Sequence, residues 1–226
     1  MSQLALFVPS RGRPDNIEAL CKALRDTESN RTHLFVVIDD DDPSFSSYVK
    51  LANWNDFELE VVKSTKRGMA QPLNLAVRRY IKDFDFFAFL GDDHRPRTKH
   101  WDWNLIEAIL ESDGGIAYGN DLHAGASLPT ACAMYWDIVE HLDGMVPDSF
   151  THLYIDNFWK KLGEDLGKIT YLENTVIEHC HPFFGKGEMD ALYEAINDPS
   201  MYSADKTAFD SYLQSDDYVR LVEACK

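Results

Sequence analysis

No stretch of this chain approaches the roughly 18 consecutive apolar residues that a membrane-spanning helix needs. Its four cysteines, Cys21, Cys132, Cys180 and Cys225, are scattered and form no Cys-x-x-Cys pair. That spacing argues against a zinc site or a disulfide framework and fits a reducing, cytoplasmic setting. Basic residues are scarce, 22 against 38 acidic ones for a net charge of -16, so nucleic acid and anionic membranes are repelled at long range. The Gly-x-Gly-x-x-Gly fingerprint of a dinucleotide site is missing, as is the Gly-x-Ser-x-Gly elbow of a serine hydrolase. The first loop holds one glycine, Gly12, too few for a triphosphate cradle. Met1 to Pro9 lacks both a basic start and a small-residue cleavage site, so a first strand is expected there rather than a signal peptide. With no repeat, low-complexity run or linker, one compact domain with a helical tail is the simplest organisation.

What the chain does have is a run, Phe86-Phe87-Ala88-Phe89-Leu90, that ends abruptly in Gly91-Asp92-Asp93-His94. Five consecutive apolar residues predict a strand buried on both faces. Carboxylates at its carboxyl end cost desolvation energy unless positive charge meets them, and in an open α/β sheet that end is where ligands bind. Mn²⁺ or Mg²⁺ holding a diphosphate is one counter-charge suited to hard oxygen ligands. An acidic turn is the other reading, since Gly-Asp-Asp is good turn chemistry. Arg95, Arg97, Lys99 and His100 follow, either as a solvated loop or as a phosphate-binding patch.

Elsewhere, strands are expected over 4–8, 34–38, 57–62, 114–118, 168–172 and 176–177. Helices are expected over 14–24, with Ile17, Leu20, Cys21 and Leu24 inward, and over 68–80, 103–110 and 156–162. A strand running into a helix is expected over 131–142, and further helical stretches around 189–196 and 203–224. This order predicts an α/β fold with a mostly parallel central sheet flanked by helices and a helical C-terminal tail. Trp101, Trp103, Tyr118, Tyr135 and Trp136 are either core or a stacking wall for a sugar or base.

Several segments, in order, resemble the GT-A glycosyltransferases, especially the family 2-like group and its small phage and bacterial versions. They are Val8-Pro9-Ser10-Arg11-Gly12-Arg13-Pro14, Val37-Ile38-Asp39-Asp40-Asp41-Asp42-Pro43, Arg67-Gly68-Met69-Ala70 through Asn74, and Gly91-Asp92-Asp93-His94. Ile155-Asp156-Asn157 resembles the family's acidic helix-opening motif, and Glu178-His179-Cys180-His181-Pro182 its closing strand. The resemblance implies a catalytic domain over 1–186 with a helical extension, 187–226, packed on it. It implies a nucleoside-diphosphate-sugar donor, with UDP the first guess, and transfer to an acceptor hydroxyl in the cytoplasm, a host's if the gene is a phage's.

By the same resemblance Pro9, Ser10, Arg11, Arg13, Asp39, Arg67, Gly68, Asn74 and Asp92 face the donor, although Asn74 on its helix face also suits a cap or a local hydrogen bond. Asp39 would touch base or ribose, and Asp40 to Asp42 are expected to be solvated. Asp93, His94 and His181 would hold Mn²⁺ or Mg²⁺, with His181 preferred to His179. Asp156 would act as catalytic base, and its alternative role is a helix N-cap. The sequence departs from the family in reading Gly-Asp-Asp-His for Asp-x-Asp and Ile-Asp-Asn for Glu-Asp, which leaves the stereochemical outcome open. The charge favours a protein or glycan acceptor over bare DNA, although a modified DNA base stays open. A nucleotidyltransferase or a non-catalytic carbohydrate-binding homologue are the other readings.

Overall fold

The computed structural model describes residues 3–55, 57–65, 68–181, 185–186 and 198–226. Eight strands form one sheet in the order β3-β2-β1-β4-β7-β6-β8-β5. They are β1 (Leu4–Pro9), β2 (Thr32–Asp39), β3 (Glu58–Val62), β4 (Phe86–Phe89), β5 (His94–Pro96), β6 (Ile116–Asn120), β7 (Cys132–Tyr135) and β8 (Ile169–His179). The block β3-β2-β1-β4 is parallel throughout. β7 runs antiparallel to both β4 and β6, β8 is parallel to β6, and β5 folds back antiparallel on the end of β8. The two strand segments expected over 168–177 are therefore one long strand.

Strands β1, β2 and β4 are consecutive apolar residues because both faces are covered. Ala5, Phe7, Phe35, Val37, Phe87 and Phe89 point to one face; Leu4, Leu6, Val8, Val36, Ile38, Phe86, Ala88 and Leu90 point to the other. Phe7 stacks on Phe35 at 4.8 Å between ring centroids and on Phe87 at 6.3 Å, so an aromatic row ties the three strands that carry the site loops.

The second face is covered by α1 (Pro14–Thr27), α2 (Phe45–Asn55) and α4 (Trp101–Glu111). Ile17, Leu20, Cys21 and Leu24 are all buried. The α2 helix has no counterpart among the sequence expectations, because only Tyr48 and Leu51 of it are buried and its apolar stripe is short. The first face is covered by α3 (Ala70–Val77), α5 (Trp136–Leu142), α6 (Ile155–Leu166), α7 (Pro199–Leu213) and α8 (Asp216–Ala224).

In α6 the buried Ile155, Phe158, Trp159, Leu162 and Leu166 form one stripe. Gly167 ends the helix in the left-handed region at φ 68, where it lacks the Cβ penalty. The helix expected around 189–196 lies outside the described residues, and that expected over 203–224 is two helices. In these, Phe209 and Tyr212 pack on Phe150, Tyr218 packs on Phe158, and the Tyr218 hydroxyl donates to Asp165 at 2.7 Å.

One carboxylate in α7 organises the chain before α6. Asp205, 1% exposed, accepts from the backbone N–H groups of Thr151, His152 and Leu153 at 3.1, 2.8 and 2.7 Å. The carbonyl of Thr151 in turn accepts from Met69 and Ala70 at 2.9 and 3.0 Å, which anchors the start of α3. Gly68, at φ 110, is required at this approach, because a Cβ there would sit 2.4 Å from the Thr151 oxygen. Asp205→Ala leaves three N–H donors without their acceptor and is expected to cost about 2–3 kcal/mol. Urea unfolding at neutral pH checks it, and an unchanged midpoint would mean water replaces the carboxylate.

Candidate functional site

The loops after β1, β2 and β4 open at one edge of the sheet, the carboxyl edge of the parallel block, where an open α/β sheet offers backbone groups and loops to a ligand. Asp92 and Asp93 sit side by side there, both buried at 6% and 8% exposure, and they face different ways.

Asp92 looks back into the first loop. Ser10 Oγ donates to Oδ2 at 2.7 Å, Asn16 Nδ2 donates to Oδ1 at 3.3 Å, and Arg13 lies 3.7 Å from Oδ1. Burial and the neighbouring Asp93 charge push the Asp92 carboxyl up to about 6 despite these partners. Ser10 also meets the Tyr48 hydroxyl at 2.8 Å, and that hydroxyl accepts the Arg13 N–H at 2.9 Å. Asp42 completes the latch. Its two oxygens accept from Gly12 N–H at 3.0 Å and Ser44 N–H at 2.7 Å. It is 5% exposed, so it is not the solvated turn carboxylate expected of it: a carboxylate two residues before a backbone N–H can close an Asx turn.

Asp93 looks forward, between two imidazoles. Its Oδ1 is 3.4 Å from His94 Nδ1 and its Oδ2 is 3.3 Å from His179 Nε2. The two rings stack at 4.2 Å. Burial opposes ionisation of Asp93, yet these imidazole contacts hold its carboxyl well below the usual range. Burial and the charge of His179 lower His94. The cluster forms because β5 pairs with β8, placing His94 opposite His179 in register.

Asp93, His94 and His179 each present a ligand atom within 4.8 Å of the others. A Cβ on Gly91 would lie 2.8 Å from both Asp93 Oδ1 and His94 Nδ1, so the missing side chain keeps this corner open. One carboxylate and two imidazoles fit a divalent transition ion such as Mn²⁺ better than Mg²⁺, which prefers an all-oxygen shell.

A second carboxylate supports the cluster. Asp121, just past β6, accepts from the N–H groups of His123 and Gly125, both at 2.9 Å, and from Thr130 Oγ1 at 2.9 Å. Thr130 Oγ1 is 3.5 Å from His94 Nε2, which orients that ring. Burial works against the Asp121 charge, but the Gly125 and His123 N–H groups, the Thr130 hydroxyl and the His179 charge together lower its carboxyl.

Asp156 stands in the first turn of α6, with Oδ1 accepting from Asn157 N–H at 2.9 Å. The cap position is Tyr154, in the left-handed region at φ 62, so Asp156 is not the N-cap. Burial raises its carboxyl, and the charges of His179 and Asp121 act on it from nearby. Trp159 fixes this turn: its ring packs on Phe89 at 5.1 Å and its Nε1 donates to Met145 O at 2.7 Å.

Other residues singled out in the sequence fall as follows. Pro9 ends β1 at the site edge. Arg11 lies 2.6 Å from Asp41 and 3.5 Å from Asp39, and Asp39 Oδ1 is buried with no hydrogen-bond partner. Gly68 meets Thr151 as above. His181 packs edge-on against His179 at 5.2 Å between centroids; within the three-ligand cluster it is His179 that faces Asp93.

Arg67 and Pro182 lie outside the described residues. Asn74 is not at the site edge: it is fully buried, donating to Val146 O and Asp148 and accepting from Met145 and Val146 N–H. Its amide is spent holding 145–148 to α3. Arg95 is buried, donating to the Asp92 and His94 carbonyls at 2.7 Å, and Arg97 pairs with Glu178, while Lys99 and His100 are exposed. The five aromatics do not form a wall. Trp101 and Tyr118 are core, Trp103 lies under Arg31, and Tyr135 with Trp136 sits at the opposite end of β4.

Sequence reasoning missed Tyr48, Asp121, Thr130, His152 and Asp205. Asp121 alone carried a usable signal, as an acidic residue three positions beyond the strand expected over 114–118.

No protein-family model and no curated protein matches the chain. Solved structures do match its fold. Residues 1–349 of S. aureus TarS in complex with UDP-GlcNAc superpose with TM-score 0.68 at 15% identity, over 95% of this chain and 67% of that one. The mannosyltransferase PcManGT from Pyrobaculum calidifontis, in complex with GDP-Man and Mn²⁺, gives 0.62 at 14% identity, over 98% and 78%. Glucosyl-3-phosphoglycerate synthase from Mycobacterium tuberculosis, with Mn²⁺, UDP and glucosyl-3-phosphoglycerate, gives 0.61 at 12%, over 94% and 79%. The chain spans 36% of TarS in its longer structure. The fold is that of the GT-A glycosyltransferases.

His152, on the Asp205-held loop, has its Nδ1 buried with no hydrogen-bond partner. Burial drops its imidazole from 6.5 to about 4. Below pH 6.5 the unfolded chain therefore takes up a proton that the folded one refuses, and stability falls as pH drops toward 4. The loss is roughly 2–3 kcal/mol. His152→Gln is expected to flatten this segment of the stability–pH curve, measured by urea unfolding at neutral and mildly acidic pH. Parallel curves for the two proteins would contradict it.

Proposed function

We propose that the chain is a metal-dependent glycosyltransferase that moves a sugar from a nucleoside diphosphate to an acceptor hydroxyl. The observation that carries this reading is the Asp93–His94–His179 cluster at the carboxyl edge of a GT-A fold, with Asp156 beside it. The GT-A structures of similar fold include complexes with UDP-GlcNAc, with GDP-Man and Mn²⁺, and with UDP and Mn²⁺.

On this reading Asp93, His94 and His179 hold Mn²⁺, and His181 stands next to them. The ion supplies positive charge against the diphosphate as the glycosidic C–O bond breaks. Asp39, with its buried unpartnered oxygen, accepts a hydrogen bond from the base or ribose. A base N–H or a ribose hydroxyl is a suitable donor, and UDP is the first nucleotide to test. Ser10, Arg13 and Asn16 hold Asp92, so Asp92 shapes the first loop against the diphosphate rather than binding the ion directly. Arg11 and Arg13 are the cations nearest to that loop and suit phosphate oxygens.

Asp156 takes the acceptor proton. Its carboxyl is raised by burial, which brings a base closer to the working pH. The acceptor lies on a protein or glycan, because the charge of -16 opposes a DNA duplex.

Thermal stability against a panel of nucleoside diphosphates and their sugars, with and without Mn²⁺, tests the donor. One nucleotide is expected to raise the melting temperature only with Mn²⁺, by several degrees at a hundredfold excess over Kd, and Asp93→Ala is expected to abolish the rise. No rise with any nucleotide sinks the reading. Asp156→Asn is expected to keep that donor shift while transfer falls by about 10²–10⁴-fold. If transfer survives, the base lies elsewhere.

A further inference from the structure

A second group of metal-ligating side chains lies at the other end of the molecule. Asp137 and His141, four residues apart on one face of α5, meet Cys225, which follows the last turn of α8. One ligand atom from each lies within 4.8 Å of those of the other two. The α5 helix starts where Trp136 N–H donates to Asp85 O, just before β4. This is the end of the strand opposite Asp92 and Asp93, so the group is separate from the site above.

We propose that Asp137, His141 and Cys225 form a zinc site that staples the C-terminal helix α8 to α5. Thiolate, imidazole and carboxylate are all zinc donors, and three protein ligands plus water make a tetrahedral shell. A soft sulfur ligand selects Zn²⁺ over Mn²⁺, whereas the Asp93 cluster has no sulfur. The ring is already oriented: His141 Nδ1 donates to the Asp137 carbonyl at 2.8 Å, which leaves Nε2 as the nitrogen for the metal. His141 is exposed, which leaves room for the water ligand, while Cys225 is buried at 4% exposure.

Zinc binds cysteine as the thiolate, so binding releases the Cys225 proton to solvent as the sulfur–zinc bond forms. Lys168 Nζ donates to Cys225 O at 3.2 Å and holds the end of α8 in place. The consequence reaches the rest of the fold through α8. Its Tyr218 and Leu221 belong to the core, and Tyr218 bonds Asp165 of α6, the helix that carries Asp156. Cysteine spacing in the sequence argued against a zinc site; here the ligands are gathered by the docking of α8, 88 positions along the chain from Asp137 to Cys225.

The test uses the full chain carrying Asp93→Ala, stripped with chelator, so that the sulfur-free cluster does not compete. Cobalt chloride is added first and zinc chloride second. The expected result is a near-ultraviolet thiolate-to-cobalt charge-transfer band that one equivalent of zinc bleaches. The band should vanish in Cys225→Ser and survive in Cys180→Ser. His141→Ala, at an exposed position that leaves the fold intact, is expected to weaken zinc binding at least tenfold. Zinc at a hundredfold excess over Kd is expected to raise the melting temperature by roughly 5–10 °C. No charge-transfer band, a band that persists in Cys225→Ser, or a zinc-induced shift undiminished in His141→Ala overturns the site. The outcome is independent of the sugar-transfer reading, because none of these readouts involves a nucleotide.

Discussion

Two adjacent carboxylates taken out of water at the tip of β4 are the constraint around which the site is built. Side by side and nearly buried, Asp92 and Asp93 repel each other and lose hydration, a combination that costs several kcal/mol unless each finds partners. The structure resolves this by turning them apart. Asp92 is received by Ser10, Asn16 and Arg13, so the first loop and the start of α1 are drawn onto β4. Asp93 is received by His94 and His179, so the short β5 and the end of β8 close over the other side. The electrostatics follow: one carboxyl is raised and its neighbour is lowered.

The surrounding elements hold that arrangement at increasing distance. Asp42 and Tyr48 latch the first loop, and Asp121 with Thr130 steadies His94. Phe89 and Trp159 lock the first turn of α6 against β4. Behind these, Asp205 binds three N–H groups of the segment before α6. The C-terminal helices are thus tied to the same edge of the sheet that carries the acidic pair, although neither helix supplies a residue to the cluster.

Much of this was legible in the chain. The apolar runs 4–8, 34–38 and 86–90 announce strands buried on both faces, and Ile17, Leu20, Cys21 and Leu24 announce the inward face of α1. The placement of Asp39, Asp92, Asp93 and Asp156 at strand and helix ends follows from where those runs stop. Less legible were residues whose role needs a distant partner. Asp205 sits in a weakly amphipathic polar helix and reads as surface, yet it is among the most buried polar residues. By resemblance Asn74 faces the donor, and Arg95 reads as either a solvated loop or a phosphate patch; in the fold Asn74 bonds the segment 145–148 and Arg95 Nη1 bonds the Asp92 and His94 carbonyls.

The sequence by itself determined the α/β layering, where the central strands lie along the chain and the position of the acidic tip, because these depend on local periodicity and on the desolvation cost of charge beside apolar runs. Only the tertiary structure decided which histidine meets Asp93, because the registry of β5 against β8 places His179 opposite His94, and one residue of slip in a strand turns every side chain to the other face. It likewise decided that Asp137, His141 and Cys225 meet. Helix periodicity sets Asp137 and His141 on one face, but no local rule relates them to Cys225; helix docking brings it to them, and docking is governed by the summed burial of α8 rather than by any of the three side chains.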